Sequence, residues 1–163
     1  MSTVNVTAEL AAHSAILDLL NRYTDAVNQR DWPRLQAVFA VDAVWDMGGP
    51  AAGPMAMRLV GARQIADGIA GAIGGTELCI QMNHAPVVTV EGRRAEARST
   101  VHELLRPKGA PGFNLYGTYY DDIRLDADGE WRFQERRFRI TYLDAATPVV
   151  GQIMAHFPRS GEA

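Results

Sequence analysis

The stretch Arg94-Ala-Glu-Ala-Arg-Ser-Thr-Val-His-Glu-Leu-Leu-Arg106 alternates small or apolar residues with polar ones. Because successive side chains of a β-strand point to opposite faces, this period of two predicts a long strand that is buried on one side. His102 falls on the polar face, which we predict to be the surface. The other face is predicted to point inward and comprises Ala95, Ala97, Ser99, Val101, Glu103 and Leu105.

The same period of two extends over the whole second half of the chain. Turn signals rich in glycine, proline and aspartate lie at residues 91–94, 107–112 and 126–129. They divide this half into four predicted strands of an antiparallel meander, at residues 78–91, 94–106, 113–125 and 130–142.

The first half of the chain has mainly helical spacing. Apolar residues recur every three or four positions from about Thr7 to Arg30, and Asp31 is placed to cap a short second helix with Pro33 in its first turn. A short strand at 43–47, a loop at 48–57 and a small-residue helix at 62–73 follow. Helices first and a sheet afterwards indicate an α+β domain spanning residues 1–163.

We therefore predict a cone in which the N-terminal helices cover one face of a strongly curved antiparallel sheet and enclose an apolar pocket. The tail after Thr147 is expected to form a short helix, or an arm that covers the pocket or a neighbouring subunit. Self-association, as a dimer or trimer, is expected because the open sheet face needs cover.

Composition limits the classes of function. The 163 residues carry a formal net charge of -3, with a pI near 5.8, so we expect no nucleic-acid partner. Cys79 is the lone cysteine and no metal-ligand spacing occurs, which favours a site without metal or cofactor in a reducing compartment. No export signal or membrane span is predicted, and the cytoplasm is the expected location.

His84 is the first candidate for chemistry, because it lies where a polar patch meets the apolar run that begins at Val87. Imidazole has an ordinary pKa of about 6.5, which suits a general base, and Pro86 must interrupt strand pairing nearby. The alternative is a structural or exposed histidine.

Glu103 is the second candidate. A carboxylate among small and apolar neighbours must be hydrogen-bonded, protonated or in a pocket, unless it reaches solvent at the end of its strand. In the last strand the apolar side switches between Phe133 and Phe138, which predicts a β-bulge near Arg136. That bulge would turn either Arg137 or Arg139 into the pocket.

Aromatic and sulfur-containing side chains supply the expected wall of the pocket. Tyrosines at 116, 119 and 120 line the third strand, although tyrosines on a sheet most often serve core packing. Residues Trp45, Met47, Met55 and Met57 are interpreted as the apolar wall of a cavity or a flexible flap.

The segment from Ile16 to Trp45 resembles a known family. Its Arg22-Tyr23 pair, the stretch Asn28-Gln-Arg-Asp-Trp32, Phe39 and Asp42-Ala-Val44 are similar to the opening of the polyketide-cyclase-like (SnoaL-like) branch of the nuclear transport factor 2 superfamily. That superfamily has an α+β cone with this element order, and its members include scytalone dehydratase and bile acid 7-alpha-dehydratase.

The resemblance to the bile acid 7-alpha-dehydratase type implies roles for single residues. His84 falls on the catalytic histidine, Tyr23 on a pocket tyrosine and Glu103 on an aspartate. Arg139 matches the family arginine best, with Arg137 as the alternative. Asn28 stands where the family has an aspartate that orients the histidine, and an amide supplies no charge to stabilise an imidazolium.

Three functions are consistent with these residues. The leading one is a cofactor-independent lyase of the dehydratase kind, acting on an apolar cyclic oxygenated small molecule, with His84 as base and Asn28 and Glu103 tuning it. Tyr23 would polarise a carbonyl or protonate the leaving hydroxyl, and Arg139 would stabilise an oxyanion. The second is an isomerase or polyketide cyclase that uses the same pocket, and the third is a non-catalytic small-molecule-binding or assembly module.

Overall fold

The fold is given by a computed structural model that describes residues 6–49 and 52–153. Helices α1 (Val6–Gln29), α2 (Trp32–Ala37) and α3 (Ala62–Ile73) lie within a residue or two of their predicted bounds. Asp31 caps α2 as predicted, since its Oδ1 accepts from the backbone N–H of Arg34 at 3.1 Å.

Seven strands form one curved, unclosed sheet: β1 (Phe39–Met47), β2 (Met57–Val60), β3 (Leu78–Asn83), β4 (Val87–Glu91), β5 (Arg94–Arg106), β6 (Gly112–Leu125) and β7 (Trp131–Val149). The strand order is β2-β1-β7-β6-β5-β3, and β4 also pairs with β5. The α+β class is confirmed. The sheet is mixed, however, because β1 runs parallel to β7 while the other pairs are antiparallel.

The predicted strand at 78–91 is two strands, β3 and β4, which pair with different parts of β5. Asn83 lies opposite Val101 and Val87 opposite Arg98. The chain therefore advances four residues from β3 to β4 where β5 advances three. The residue in excess falls in the segment 84–86, where Pro86 lacks a backbone N–H. The predicted interruption of pairing at this proline is confirmed.

Other strand bounds differ from prediction. β1 starts at Phe39, four residues early; β2 lies partly in the predicted loop; and β7 continues to Val149, beyond Thr147. Whether the tail forms a helix or an arm concerns residues 154–163, which lie outside the described part of the chain. None of the described helices is long and apolar enough to cross a membrane.

The core lies between the helices and the inner face of the sheet. On β5 the predicted inner residues Ala95, Ala97, Ser99 and Val101 are all at most 5% exposed, which confirms the face assignment. The buried side of α1 packs on this face and comprises Ile16, Leu19, Leu20, Tyr23, Ala26 and Val27.

A β-bulge in β7 sets which of its side chains face the core. Asp122 pairs with Glu135 and the next residue, Ile123, pairs with Phe133, so Gln134 is the extra residue. The bulge is thus confirmed two residues before its predicted position. Its consequence is that Phe133 and Arg136 share the inner face although their spacing in sequence is odd.

Candidate functional site

Six polar side chains meet inside the cone and form what we call the inner polar cluster. Five of them are at most 4% exposed, and the Glu103 residue as a whole is half-buried. The cluster draws on α1, β3, β5, β6 and β7 and comprises Tyr23, Gln81, Glu103, Tyr119, Asp121 and Arg136.

A hydrogen-bond chain runs through four members of the cluster. The hydroxyls of Tyr23 and Tyr119 lie 3.2 Å apart. The Nε2 of Gln81 donates to Tyr119 Oη at 3.2 Å and to Glu103 Oε2 at 3.0 Å. Gln81 therefore links a carboxyl group to a pair of phenols.

One phenolic proton has no acceptor within this chain of hydrogen bonds. Two hydroxyl protons are present, and the bond between Tyr23 and Tyr119 uses one of them. Within the described ranges no acceptor is found for the other. One tyrosine O–H is therefore available as a donor to a bound molecule.

Arg136 lies in an aromatic cage. Its guanidinium carbon is 3.9 Å from the ring centroid of Tyr23, 3.7 Å from that of Tyr119 and 4.4 Å from that of Phe133. Its Nε is 3.4 Å from a carboxylate oxygen of Asp121, and both side chains are fully buried. A buried cation stacked on two phenol rings stabilises negative charge that develops on their oxygens.

Burial shifts the pKa of each ionisable group in this cluster for which a shift is resolved. It raises the pKa of Glu103, and the Gln81 donor opposes that rise. It raises the pKa of Tyr23 and, more strongly, that of Tyr119, against the lowering effect of Arg136. The pKa of Asp121 rises to about 6 for the same reason. Near neutral pH the phenols are thus proton donors, and Glu103 is a stronger base than an exposed glutamate.

Several buried side-chain polar atoms lack a hydrogen-bond partner in the described part of the chain, among them the carboxylate oxygens of Asp121 and the guanidinium nitrogens of Arg136. Two others are Trp45 Nε1, on a side chain that is 5% exposed and lies by the Tyr23 hydroxyl, and Gln81 Oε1. An unpaired buried donor or acceptor is costly, so both atoms favour a polar ligand or water in the interior. Trp45 is thus a buried residue beside the cluster, and Met47 is half-buried against the same core.

Asn28 has a different role from the one that the resemblance implied. Its Nδ2 donates to the backbone carbonyl of Gln81 at 2.9 Å, and its Oδ1 accepts from the Gln81 N–H at 2.7 Å. Both ends of the amide are therefore occupied by the edge of β3. Asn28 fixes the backbone of Gln81 and does not orient an imidazole.

His84 is not part of the inner polar cluster. It lies between β3 and β4, its side chain is exposed, and its backbone N–H donates to Thr100 at 2.9 Å. Of the histidines that the structure describes, His13 is also exposed and His102 is on the outer face. The residue of β3 that faces the phenols and Glu103 is Gln81.

The prediction that Arg137 or Arg139 faces the pocket is wrong. Arg139 pairs with Asp46 at 2.6 Å, and Arg137 pairs with Asp122 at 3.2 Å and with Glu135 at 3.4 Å, all among partly exposed side chains. The reason is the position of the bulge: because the extra residue is Gln134, the arginine brought inward is Arg136.

The three tyrosines of β6 lie on opposite faces of the sheet. Tyr119 is 2% exposed and inside, as predicted for a pocket residue. Tyr116 is 36% exposed on the outer face and stacks on His102 with ring centroids 4.2 Å apart. Tyr120 is 41% exposed. Strand alternation explains this division, since Tyr116 and Tyr120 share the parity opposite to that of Tyr119.

Sequence reasoning missed Gln81, Asp121 and Arg136 as site residues. A signal for Gln81 was present, because Cys79 and Gln81 share the inner parity of β3 and are both buried. Asp121 shares the parity of Tyr119 in the same way. Arg136 could be found only from the exact position of the bulge.

Two hollows of the described chain lie away from the cluster. A hollow of about 650 Å³ is lined by Thr89, Arg94, Asp122 and Gln134 among others, and a second of about 720 Å³ lies beside α3. Neither is lined by a member of the cluster. In residues 6–49 and 52–153, no group of three or more histidine, cysteine, aspartate or glutamate side chains is arranged to hold a metal ion.

Comparisons with known proteins agree with this architecture. Residues 8–137 match the family model described as a SnoaL-like domain. No curated protein matches the chain.

Solved structures share the fold at low sequence identity. A candidate scytalone dehydratase from Novosphingobium aromaticivorans is 22% identical, with a TM-score of 0.73 over 85% of this chain and 89% of that one. A candidate aromatic ring hydroxylase from the same organism is 24% identical, with a TM-score of 0.70 over 80% and 90%. The hexachlorocyclohexane dehydrochlorinase LinA-type3 from Novosphingobium barchaimii is 20% identical, with a TM-score of 0.74 over 91% and 97%. These descriptions name three reactions, so the likeness shows the fold alone.

Proposed function

The chain belongs to the SnoaL-like family, and from that premise we propose that it is a cofactor-independent lyase of the dehydratase kind. Its substrate would be an apolar, cyclic, oxygenated small molecule. Structural neighbours that are described as a scytalone dehydratase and as a dehydrochlorinase support an elimination reaction, although neither fixes the substrate.

One observation carries the proposal: the carboxyl of Glu103 and two buried phenols are joined by a single amide between the helices and the inner face of the sheet. Burial moves the pKa of Glu103 upward, toward the range useful to a base, and keeps Tyr23 and Tyr119 protonated. A base and an acid held in different protonation states are what an elimination requires.

The proposed reaction assigns one role to each group. Glu103 takes a proton from the carbon next to a carbonyl, and the electrons of that C–H bond pass into an enolate. The free hydroxyl of the tyrosine pair donates to the enolate oxygen, and Arg136 stabilises the charge through the two rings. The electrons then return to form a C=C bond as the C–O bond to the leaving hydroxyl breaks, and this hydroxide takes up the proton that Glu103 removed and leaves as water, which restores the Glu103 carboxylate.

This assignment transfers the role of base from His84 to Glu103. His84 is exposed, and its described contact is a backbone hydrogen bond. Glu103 is held at 3.0 Å by an inner side chain. The two assignments give opposite expectations for the same pair of variants, so they can be separated directly.

The test is product analysis by mass spectrometry in deuterated water. Purified protein is incubated with cyclic β-hydroxy ketones and, separately, with hexachlorocyclohexane. Loss of the mass of water, or of hydrogen chloride, supports the lyase. Deuterium returned to carbon without loss of mass supports the isomerase or cyclase instead, and binding without turnover supports a non-catalytic module.

Variants then assign the groups. We expect Glu103→Gln and Tyr23→Phe each to lower kcat by about 100-fold to 10,000-fold, the usual contribution of general acid-base catalysis. His84→Ala should leave most of the turnover. A loss from His84→Ala as large as that from Glu103→Gln would return the role of base to the histidine.

A further inference from the structure

Within the inner polar cluster, the side chain of Gln81 is hydrogen-bonded both to the carboxyl of Glu103 and to the hydroxyl of Tyr119. We propose that Gln81 is a positioning residue that separates the base from the acid: it holds Glu103 as a proton acceptor and Tyr119 as an oriented phenol. The roles of base and acid rest on the proposed function, whereas the positioning rests on geometry alone.

The first step is that the carboxamide has no spare donor. Its Nε2 carries two protons, and two acceptors lie within range, Glu103 Oε2 at 3.0 Å and Tyr119 Oη at 3.2 Å. The side chain is 4% exposed, so water does not compete freely for either bond. One amide group thus fixes two reactive groups at the same time.

The second step concerns direction. A carboxamide nitrogen donates and does not accept, so the oxygen of Tyr119 must be the acceptor in its bond to Gln81. The hydroxyl proton of Tyr119 then points away from Glu103, toward Tyr23 or a ligand. Glu103 and Tyr119 consequently have no direct path along which to exchange a proton, and the acid cannot neutralise the base.

The third step concerns the ionisation of Glu103. A donor at Oε2 favours the carboxylate and leaves Oε1 as the atom that takes up a proton. The flipped carboxamide would place its Oε1 against the Glu103 oxygen, which is repulsive unless Glu103 is protonated. The observed orientation therefore selects the ionised form that a base needs.

The backbone of Gln81 is held as firmly as its side chain. Its N–H and C=O are bonded to Asn28 of α1, and on its other side β3 pairs with β5, where Gln81 lies opposite Glu103. Because helix, strand and carboxamide are linked through one residue, the side chain has little freedom to leave the two acceptors.

The test needs no substrate in its first stage. The protein is labelled with ¹³C at glutamate carboxyl carbons and titrated by NMR, and the Glu103 signal is assigned by its loss in Glu103→Gln. In Gln81→Met, which keeps the volume and removes the donor, we expect the pKa of Glu103 to rise by roughly one to two pH units. The exposed Gln36→Met is the matched control and should leave the Glu103 titration unchanged.

The second stage measures turnover against pH. In Gln81→Met the acidic limb of kcat should move upward with the pKa of Glu103, and kcat at high pH should fall far less than at neutral pH. Gln81→Glu serves if Gln81→Met does not fold; a second carboxyl beside Glu103 should raise the higher of the two apparent pKa values of the pair.

The outcomes separate the two hypotheses. A Gln81→Met protein with a lower Tm but an unchanged Glu103 titration would show a merely structural glutamine and overturn the inference. The proposed function survives that result if Glu103→Gln still abolishes turnover. A shifted titration in a protein that turns over no substrate would support the positioning role and refute the lyase.

Discussion

Two of the ion-pair systems on strand β7 lie only four residues apart, and they differ in burial and in hydrogen-bond geometry. Arg136 and Asp121 are fully buried, with their nearest atoms 3.4 Å apart, and aromatic rings surround the cation. Arg132 bonds Asp126 at 3.0 Å and Asp128 at 2.8 Å on the hairpin that joins β6 to β7, where all three side chains are partly exposed. The shorter contacts are therefore those on the surface, whereas the buried arginine is positioned mainly by the aromatic rings around it.

The two aspartates show what this difference means. Burial raises the pKa of Asp121 to about 6, even though an arginine lies beside it. The hydrogen bonds from Arg132 lower the pKa of Asp128 to about 2. A good hairpin contact thus stabilises a charge, whereas the interior tolerates its charge at a cost. Such a cost favours a functional reason for keeping Arg136 between Tyr23 and Tyr119.

The largest expected effect comes from breaking the buried pair. Arg136→Met should lower the free energy of unfolding by about 3–5 kcal/mol, because it leaves Asp121 buried and unpaired. Arg132→Met is the matched control and should cost less than about 1 kcal/mol. Urea denaturation measures both. Equal losses in the two variants would contradict the comparison, and the double variant Arg136→Met/Asp121→Leu should recover most of the stability.

The next effect is the dependence of stability on pH, which has opposite signs in the two systems. The folded protein keeps a proton on Asp121 up to about pH 6, whereas the unfolded chain releases it near 3.8. Stability should therefore fall as the pH rises through this window, by about 3 kcal/mol for two pH units. Asp128 should do the reverse: its contribution is complete above pH 3.8 and is lost as the pH falls toward 2.

Asp121→Asn and Asp128→Asn test this contrast by urea denaturation from pH 2 to pH 8. The first should flatten the decline between about pH 4 and 6, and the second should weaken the loss in acid. Glu103, whose pKa is also raised, adds a change of the same sign as Asp121, so the quantity to compare is the difference from the parent protein. Parallel curves for Asp121→Asn and the parent would refute the raised pKa.

A half-buried polar contact should lie between these extremes. Asn28→Asp keeps the acceptor for the Gln81 N–H but loses the donor to the Gln81 carbonyl. At pH 7 we expect a loss of about 1–3 kcal/mol in the free energy of unfolding. At pH 4 the loss should shrink, because the introduced carboxyl is then partly protonated and can donate. Asn21→Asp, on the exposed side of the same helix, should show neither effect.

Much of the fold was predictable because hydrophobic periodicity and turn-forming residues determine structure locally. The two long helices, the inner face of β5 and the break at Pro86 each follow from a few neighbouring residues. The parallel pairing of β1 with β7 was missed because it joins segments about ninety residues apart, and no local pattern encodes such a contact.

The site was less predictable, and the reasons are geometric. A bulge shifts every later side chain to the opposite face, so placing the extra residue near Arg136 rather than at Gln134 selected the wrong arginines. His84 was favoured for its chemistry, although Gln81 has the parity that leads inward. The inward placement of Tyr23, Glu103 and Tyr119 was predictable because each lies in a regular segment whose register needs no such correction.

The hydrogen bonds from Asn28 to strand β3 also bear on aggregation during folding. β3 ends the strand order, so the outward N–H and C=O of Gln81 would otherwise be open to the backbone of another chain. The amide of Asn28 takes both groups, as the peptide unit of an additional strand would. Loss of this contact should therefore leave a template for aggregation, and light scattering of Asn28→Ala during refolding should reveal it before any change in the native state.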